Sequence, residues 1–545
     1  MSKIYQIGAY LIEQLHRHGV EHVFGIPGDY VLGFYDLMSR SDLVEVINTC
    51  DEQGAGFAAD AYARIKGLGA VCITYGVGGL KVTNTTAQAF AEKSPVIIIS
   101  GAPGVREQEK NPLLHHKFRD FGSQKKIFDE FTVASTVLDD PSIALQEIDR
   151  VIHAALKHKR PVYIELPRDM VSKEGNHAHE HLPSDTKSDQ GTLKEAVAEA
   201  AAIINEAKRP VILAGVEVHR FGLQNALLRL AEKTGIPVAS TILAKSVIPD
   251  NLPCSLGIYE GATGLAELTD FVEKSDCIVF LGTFLTDLNL GIYTAKIDAT
   301  ESIYATSEKL TIHHHSYENI LFPDFLHGLI EADINLRQME HPVPAKPQPF
   351  VALAKTEITI KRLFERLNAF ITAADIVIAD VGDALFGAND LYMHKATNFL
   401  SPAYYASLGF AVPAAIGTHY ANPALRPIVL VGDGAFQMTG MELSTIARYG
   451  INAIVILLNN EGYSTERPML DGPFNDVHPW QYCKLPDVLG AGKSFLVKTE
   501  QDLDTALAEA RAHSTGFSLV EVKIGKNDRS PALNRLTSHL GKEVR

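Results

Sequence analysis

Short apolar runs rich in valine and isoleucine recur along the chain: Val71–Tyr75, Val96–Ser100, Val162–Leu166, Val211–Gly215, Cys277–Gly282, Ile376–Ala379, Ile428–Gly432 and Ala453–Leu458. Most are closed by glycine, proline, serine or an acid. Unbroken hydrophobicity, rather than alternation, predicts strands covered on both faces, as in parallel sheets. Between them lie helical patterns such as Gly54–Ile65 and Gly440–Tyr449, and Ile4, Ile7, Leu11 and Leu15 are spaced as on an amphipathic first helix. Strand and helix in alternation predict an α/β protein of doubly wound parallel-sheet domains. Two segments break the rhythm. Ser172–Gly191 is polar and carries three histidines, and Glu340–Pro349 holds four prolines, a stiff extended spacer. Cutting there gives three domains, 1–175, 192–340 and 350–545.

Composition narrows the function without fixing it. At 545 residues the chain is too long for one core. A net charge of -15 with no concentrated basic stripe argues against a nucleic-acid partner. No apolar run is long enough to span a bilayer, so no membrane association is expected. The five cysteines are scattered without CxxC spacing, which predicts free thiols and a cytoplasmic, reducing compartment.

The strongest chemical signal is the strand Ile428–Val431, then Gly432-Asp433-Gly434, a helix, the strand Ala453–Leu458 and Asn459-Asn460. Glycines at a strand-to-helix turn let backbone amides approach a phosphate, and the helix N-terminus favours its charge. A carboxylate with an amide oxygen suits Mg²⁺ held jointly with a diphosphate, because this ion prefers hard oxygen ligands. Alone, Gly-Asp-Gly is a tight turn. Asn-Asn at the end of the next strand, after the 24 residues Ala435–Leu458, puts both motifs along the crevice where open α/β sheets bind ligands.

Gly-Asp-Gly followed at this spacing by Asn-Asn resembles the cofactor signature of thiamine-diphosphate enzymes. The continuation Asn459-Asn460-Glu461-Gly462-Tyr463-Ser464-Thr465-Glu466 is similar to the 2-oxo acid decarboxylases acting on pyruvate, indolepyruvate, phenylpyruvate or branched-chain acids. The resemblance runs nearly end to end, through Phe24–Asp29, Ala59–Arg64, Leu114-His115-His116 and Phe474-Asn475-Asp476 with Trp480. It implies pyrimidine-binding, central and diphosphate-binding α/β domains, thiamine diphosphate and Mg²⁺ as cofactors, and non-oxidative decarboxylation of a 2-oxo acid to an aldehyde. It also implies an active site between two subunits, with a dimer as the minimum and a homotetramer as the expected form.

Site residues follow from the same resemblance. Asp433, Asn460 and the Gly462 carbonyl would ligate Mg²⁺. Gly434 and Ala435 would lie near the diphosphate, and Ala406 and Leu408 would grip the aminopyrimidine. Asp383, Ala384 and Tyr463 complete the cofactor set. Glu52, which alone reads as a first-turn carboxylate favoured by the helix dipole, would protonate the pyrimidine ring. Asp29, His115, His116 and Glu466 match the proton-handling set; singly, Asp29 is a turn residue and His115-His116 a solvated pair. Val381, Leu385, Thr465, Met469, Leu536 and Leu540 match substrate-lining positions. They are small or medium rather than bulky aromatic, which predicts a roomy apolar pocket and larger branched, long-chain or aromatic acids over pyruvate.

The chain departs from the pattern in two places. Lys117-Phe118-Arg119 replaces the small residue, Leu and Gly that follow the two histidines in many relatives, and Asp383 stands where pyruvate-type members carry Thr, a version nearer to aromatic-acid decarboxylases. No cysteine lies in Gly215–Leu223, so thiol-based activation is not expected. A carboligase of the acetohydroxyacid synthase type, or a non-catalytic cofactor-binding protein, is the alternative on the same scaffold. Histidines 177, 179, 181 and 313–315 read as solvated rather than metal-binding. No strand-to-helix GxGxxG supports a nicotinamide enzyme.

Overall fold

The fold is given by a computed structural model that describes residues 3–177 and 187–543, with side chains over 5–175 and 187–538. The chain forms two compact units, one of Met1–Thr186, Val412–Ala424 and Thr439–Ile451, the other of Lys187–Ala411, Leu425–Met438 and Asn452–Arg545. The first unit holds one doubly wound sheet and the second holds two, which makes the three α/β layers expected.

The first unit's sheet has six parallel strands, in the order Glu45–Asn48, His22–Gly25, Gly69–Ile73, Val96–Ala102, Val162–Pro167, Ser135–Val137. The strands Gly69–Ile73 and Val96–Ala102 are buried at every position, because helices cover both faces. Ile7, Leu11 and Leu15 pack in this core from the helix Ile7–Arg17. Ile4 does not belong to that helix. It stands in the strand Lys3–Gln6, which pairs antiparallel with Glu174–His177, so the polar segment expected from Ser172 begins as a strand. His179 and His181 lie outside the described residues.

Two stretches from beyond residue 350 complete this unit. Cys50 and Asp51 donate their backbone amides to the carboxylate of Glu442, at 3.1 Å in each case. The hydroxyl of Tyr449 accepts from the Asn48 amide at 2.9 Å. A Cβ at Gly417 would sit 1.9 Å from the Ala58 carbonyl, so only glycine lets that helix approach.

In the second unit the central sheet runs Ser255–Ile258, Val238–Ser240, Pro210–Ala214, Cys277–Leu281, Ile303–Ala305, all parallel, then adds the antiparallel strands Leu310–Ile312 and His315–Tyr317. The other sheet has six parallel strands, in the order Phe399–Leu400, Asp375–Ala379, Arg426–Gly432, Ile454–Asn459, Ser518–Lys523, Lys493–Val497. Numbered along the chain within each sheet, this order is 2-1-3-4-6-5, the same as in the first unit. In both, the direction of winding reverses between strands 1 and 3, which opens a crevice at their C-terminal ends.

Candidate active site

In the second unit, strand 1 of the six-stranded sheet runs out into Asp380-Val381-Gly382-Asp383 and strand 3 into Asp433-Gly434. A cavity of ≈ 240 Å³ occupies this crevice. Its walls include Asp433, Gly434, Ala435 and Asn460 from the two motifs, Ala406 and Leu408 from the loop before the helix Ala411–Ala421, and Gly462, Tyr463, Thr465 and Glu466 from the loop after strand 4. Val381, Asp383 and Ala384 close it from the end of strand 1.

The polar groups here are held by backbone as much as by side chains. Asp433 is 1% exposed and accepts from the Gly434 amide at 2.8 Å. Burial pushes its carboxyl up to about 6. Gly462 cannot carry a side chain, since a Cβ would lie 2.4 Å from the Asn475 carbonyl oxygen and 2.4 Å from Nη2 of Arg467. Tyr463 donates its amide to the same carbonyl at 2.9 Å and lays its ring against Gly434. Arg467 ties the loop together through Asp471 at 2.8 Å and Asp476 at 2.6 Å.

Asp380 was not singled out in the sequence, yet it organises the wall that carries Leu408. It is fully buried and accepts from the amides of Val381 and Gly409 at 3.0 Å and Ala411 at 2.8 Å. Burial outweighs these bonds and pushes its carboxyl up to about 6. A carboxylate closing a strand one residue before a Val-Gly-Asp turn is the signal that marks it. Asp383 plays a different part from a plain cavity wall. Its buried carboxylate accepts from the Ser530 amide at 2.8 Å and from the Ser530 hydroxyl, and Ser530 in turn accepts from the Leu533 amide at 3.0 Å. Burial again pushes the carboxyl up to about 6.

Four residues read as substrate-lining are not among the walls of this cavity. Leu385 is fully buried in the core of the sheet. Leu536 packs with Phe386, Ala532 and Leu533. Met469 is half-buried and donates its amide to the Glu466 carbonyl at 2.9 Å. Leu540 belongs to the helix Pro531–Glu543, and its side chain lies outside the described residues.

In the first unit the remaining residues gather at the C-terminal ends of the equivalent strands. Asp29 follows strand 1, and its Oδ2 lies 2.7 Å from Nε2 of His115, while Nε2 of His116 is 3.8 Å from Oδ1. The Tyr30 ring stacks on His115 with centroids 4.7 Å apart. Glu52 opens the helix Glu52–Lys66, where the dipole favours a carboxylate. Its side chain is 12% exposed and pairs with Lys81 at 2.9 Å, a partner the sequence did not reveal. Asp51 caps the helix by accepting from the Gln53 amide at 2.8 Å and also binds Lys81.

Comparison with known proteins matches these layers one by one. Residues 5–127 match the N-terminal TPP binding domain of thiamine pyrophosphate enzymes, 197–318 the central domain and 380–522 the C-terminal TPP binding domain. An indole-3-pyruvate decarboxylase of Azospirillum brasilense is 37% identical over 538 residues, 96% of each chain. An alpha-keto-acid decarboxylase of Mycolicibacterium paratuberculosis is 32% identical over 95% of this chain and 93% of its own. Pyruvate decarboxylase 1 of Pisum sativum is also 32% identical, over 97% and 92%. The protein is thus of the thiamine pyrophosphate class, with all three of its domains, and within that class the chain belongs to the 2-oxo acid decarboxylases. It is a carboxy-lyase using thiamine diphosphate, and the carboligase and non-catalytic readings are not favoured.

Proposed function

We propose that the chain decarboxylates larger branched, long-chain or aromatic 2-oxo acids, with thiamine diphosphate anchored by Mg²⁺ in the Asp433 cavity. The observation that carries this reading is the convergence of Asp433, Asn460 and Gly462 on one cavity at the winding reversal of the sheet. The donor set is all oxygen, as Mg²⁺ requires. A buried carboxyl that burial pushes up to about 6 also fits a divalent cation, which restores its ionised form. Gly434 and Ala435 offer backbone to the diphosphate, Ala406 and Leu408 hold the aminopyrimidine, and Asp383, Ala384 and Tyr463 finish the lining. Thiamine diphosphate supplies a nucleophilic carbon and an electron sink when bound.

The chain's own groups manage protons around it. Glu52 exchanges a proton with the pyrimidine ring through a carboxyl oxygen. Asp29 and His115 share one between Oδ2 and Nε2, His116 stands beside them, and these with Glu466 deliver a proton to the former carbonyl carbon. Val381 and Thr465 face the substrate; Leu385 and Leu536, held in apolar cores, are left out of this pocket. The preference for larger acids is supported by the aliphatic Val381, Ile360 and Ile524 in the lining, and by relatives named for indole-3-pyruvate and alpha-keto acids.

The domains are taken as 1–175, 192–340 and 350–545, and the working form as a homotetramer with each active site shared between subunits. A cytoplasmic location is supported by five free cysteines. No helix among the described residues is long and apolar enough to cross a membrane. The test is carbon dioxide and aldehyde release from pyruvate, 2-oxoisovalerate, 2-oxoisocaproate, phenylpyruvate and indolepyruvate, with and without Mg²⁺. The expected ranking puts phenylpyruvate and 2-oxoisocaproate above pyruvate in kcat/KM. A higher value for pyruvate overturns the preference, and turnover indifferent to Mg²⁺ removal overturns the anchor.

A further inference from the structure

Among the described residues, one group of three metal-ligating side chains comes together: Asp29, His115 and His116, whose ligand atoms all lie within 4.8 Å of one another. Neighbouring residues on an extended strand point to opposite faces. Here they do not, because His116 adopts a left-handed backbone, φ 66°. That conformation is backed by Gly76, where a Cβ would stand 2.3 Å from the His116 carbonyl oxygen. Both Nε2 atoms therefore face the same carboxylate.

The Tyr30 hydroxyl stands behind His115, 3.2 Å from its carbonyl oxygen and 3.3 Å from Nδ1, so it can accept from Nδ1 while donating to the carbonyl. In the tautomer that keeps the proton on Nδ1, Nε2 presents a lone pair toward Asp29 at 2.7 Å, the arrangement a bound ion takes up. A proton serves in the geometry as it stands. From the same residues we infer that this cluster is also a second metal site, taking one Zn²⁺ or similar first-row transition ion through two imidazole nitrogens and one carboxylate oxygen. Two histidines and one carboxylate with open positions form a recurrent binding set for such ions. Zn–N and Zn–O bonds of about 2.0–2.2 Å spread tetrahedral ligands to about 3.4 Å, between the 2.7 Å of the His115–Asp29 contact and the 4.8 Å within which all three ligand atoms lie. A hydroxyl behind the first histidine is the supporting contact that metal-bound imidazoles need. Arg168 reaches Asp29 only at 3.9 Å and is held by Glu107 at 2.8 Å, so its charge is already balanced. Asp29 and His115 are 40% and 59% exposed, open to an entering ion. Mg²⁺ does not compete, since it prefers an all-oxygen shell.

An ion bound here occupies the groups to which the proposed mechanism gives the proton, so it should stop turnover without displacing the cofactor; this consequence rests on that reading. The test titrates Zn²⁺ into holoenzyme saturated with thiamine diphosphate and Mg²⁺, by equilibrium dialysis and in parallel by activity. One Zn²⁺ per chain should be lost in Asp29→Asn and in His116→Ala but kept in His314→Ala. Tyr30→Phe, which keeps the stacked ring, should weaken that ion about tenfold. Wild-type turnover should fall as the site fills and return with a chelator. Zinc stoichiometry unchanged in Asp29→Asn and His116→Ala overturns the site. Zinc lost in those variants, with wild-type turnover indifferent to it, upholds the site and overturns the proton-handling role instead.

Discussion

At the scale of single residues, the diphosphate-side motif was legible because its chemistry is written in consecutive letters: Gly-Asp-Gly and Asn-Asn close adjacent strands. Asp380 was not, because its role lies in what it accepts. Its carboxylate spans Val381, Gly409 and Ala411, and although its place at a strand end marks the residue, the local sequence does not show partners some thirty positions away. Its folded carboxyl is raised from 3.8 to about 6. The folded state therefore binds that proton more tightly than the unfolded chain. The stability it lends is fully present below roughly pH 4 and is lost as pH rises through about 6. Asp380→Asn keeps one acceptor oxygen but turns an amide N–H₂ toward the amides it once received. It should erase a slope of at most about 1.4 kcal/mol per pH unit between those limits, seen as a difference in urea midpoints from wild type. The half-saturating thiamine diphosphate concentration should rise about tenfold as the Leu408 loop loosens. Parallel pH profiles for the two proteins would remove Asp380 from this account.

At the scale of elements, continuous apolar runs located the buried strands well, because helices on both faces leave no polar side to show. The first helix starts later than its spacing suggests, since Ile4 fits the helical spacing while it stands opposite Asn176 in an antiparallel strand pair. Two of the leucines expected at the substrate stand away from this cavity for a related reason. In the helix Asp383–Asn389, Asp383 and Ala384 face the cavity, and one residue further the turn of about 100° carries Leu385 into the core. The C-terminal helix Pro531–Glu543 is anchored by Leu533 and Leu536 against Phe386, by Arg535 on Asp390 and the Thr263 carbonyl, and at its start by a joint in which Ser530 binds Asp383 and receives the Leu533 amide. Ser530→Ala keeps the amide contact but removes the hydroxyl from both bonds. A lost cap costs about 1 kcal/mol, which makes local release of this helix about fivefold more frequent. Limited proteolysis within Pro531–Glu543 should quicken accordingly while the rest of the chain resists. Cleavage at the wild-type rate would show that the helix is held by its apolar face and Arg535 without the Ser530 joint.

At the scale of the whole molecule, two sheets of the same winding order each bring their share of the chemistry to the same topological point. One carries Glu52 and the Asp29 cluster, the other the Asp433 cavity. Three layers could be counted in one chain's sequence, but whether subunits share a site could not be read from periodicity and came only from the family resemblance. It can be decided by mixing two inactive variants, Glu52→Gln and Asp433→Asn, unfolded together and reassembled in equal amounts. If each site takes Glu52 from one subunit and Asp433 from the other, half of the random dimers are mixed. Each mixed dimer pairs the intact Glu52 of one chain with the intact Asp433 of its partner at one of two sites. The expected return is about a quarter of wild-type activity, a value fixed by two-fold symmetry alone. If both groups of a site came from one chain, every chain would still carry a defect. The mixture would then stay as inactive as its parents.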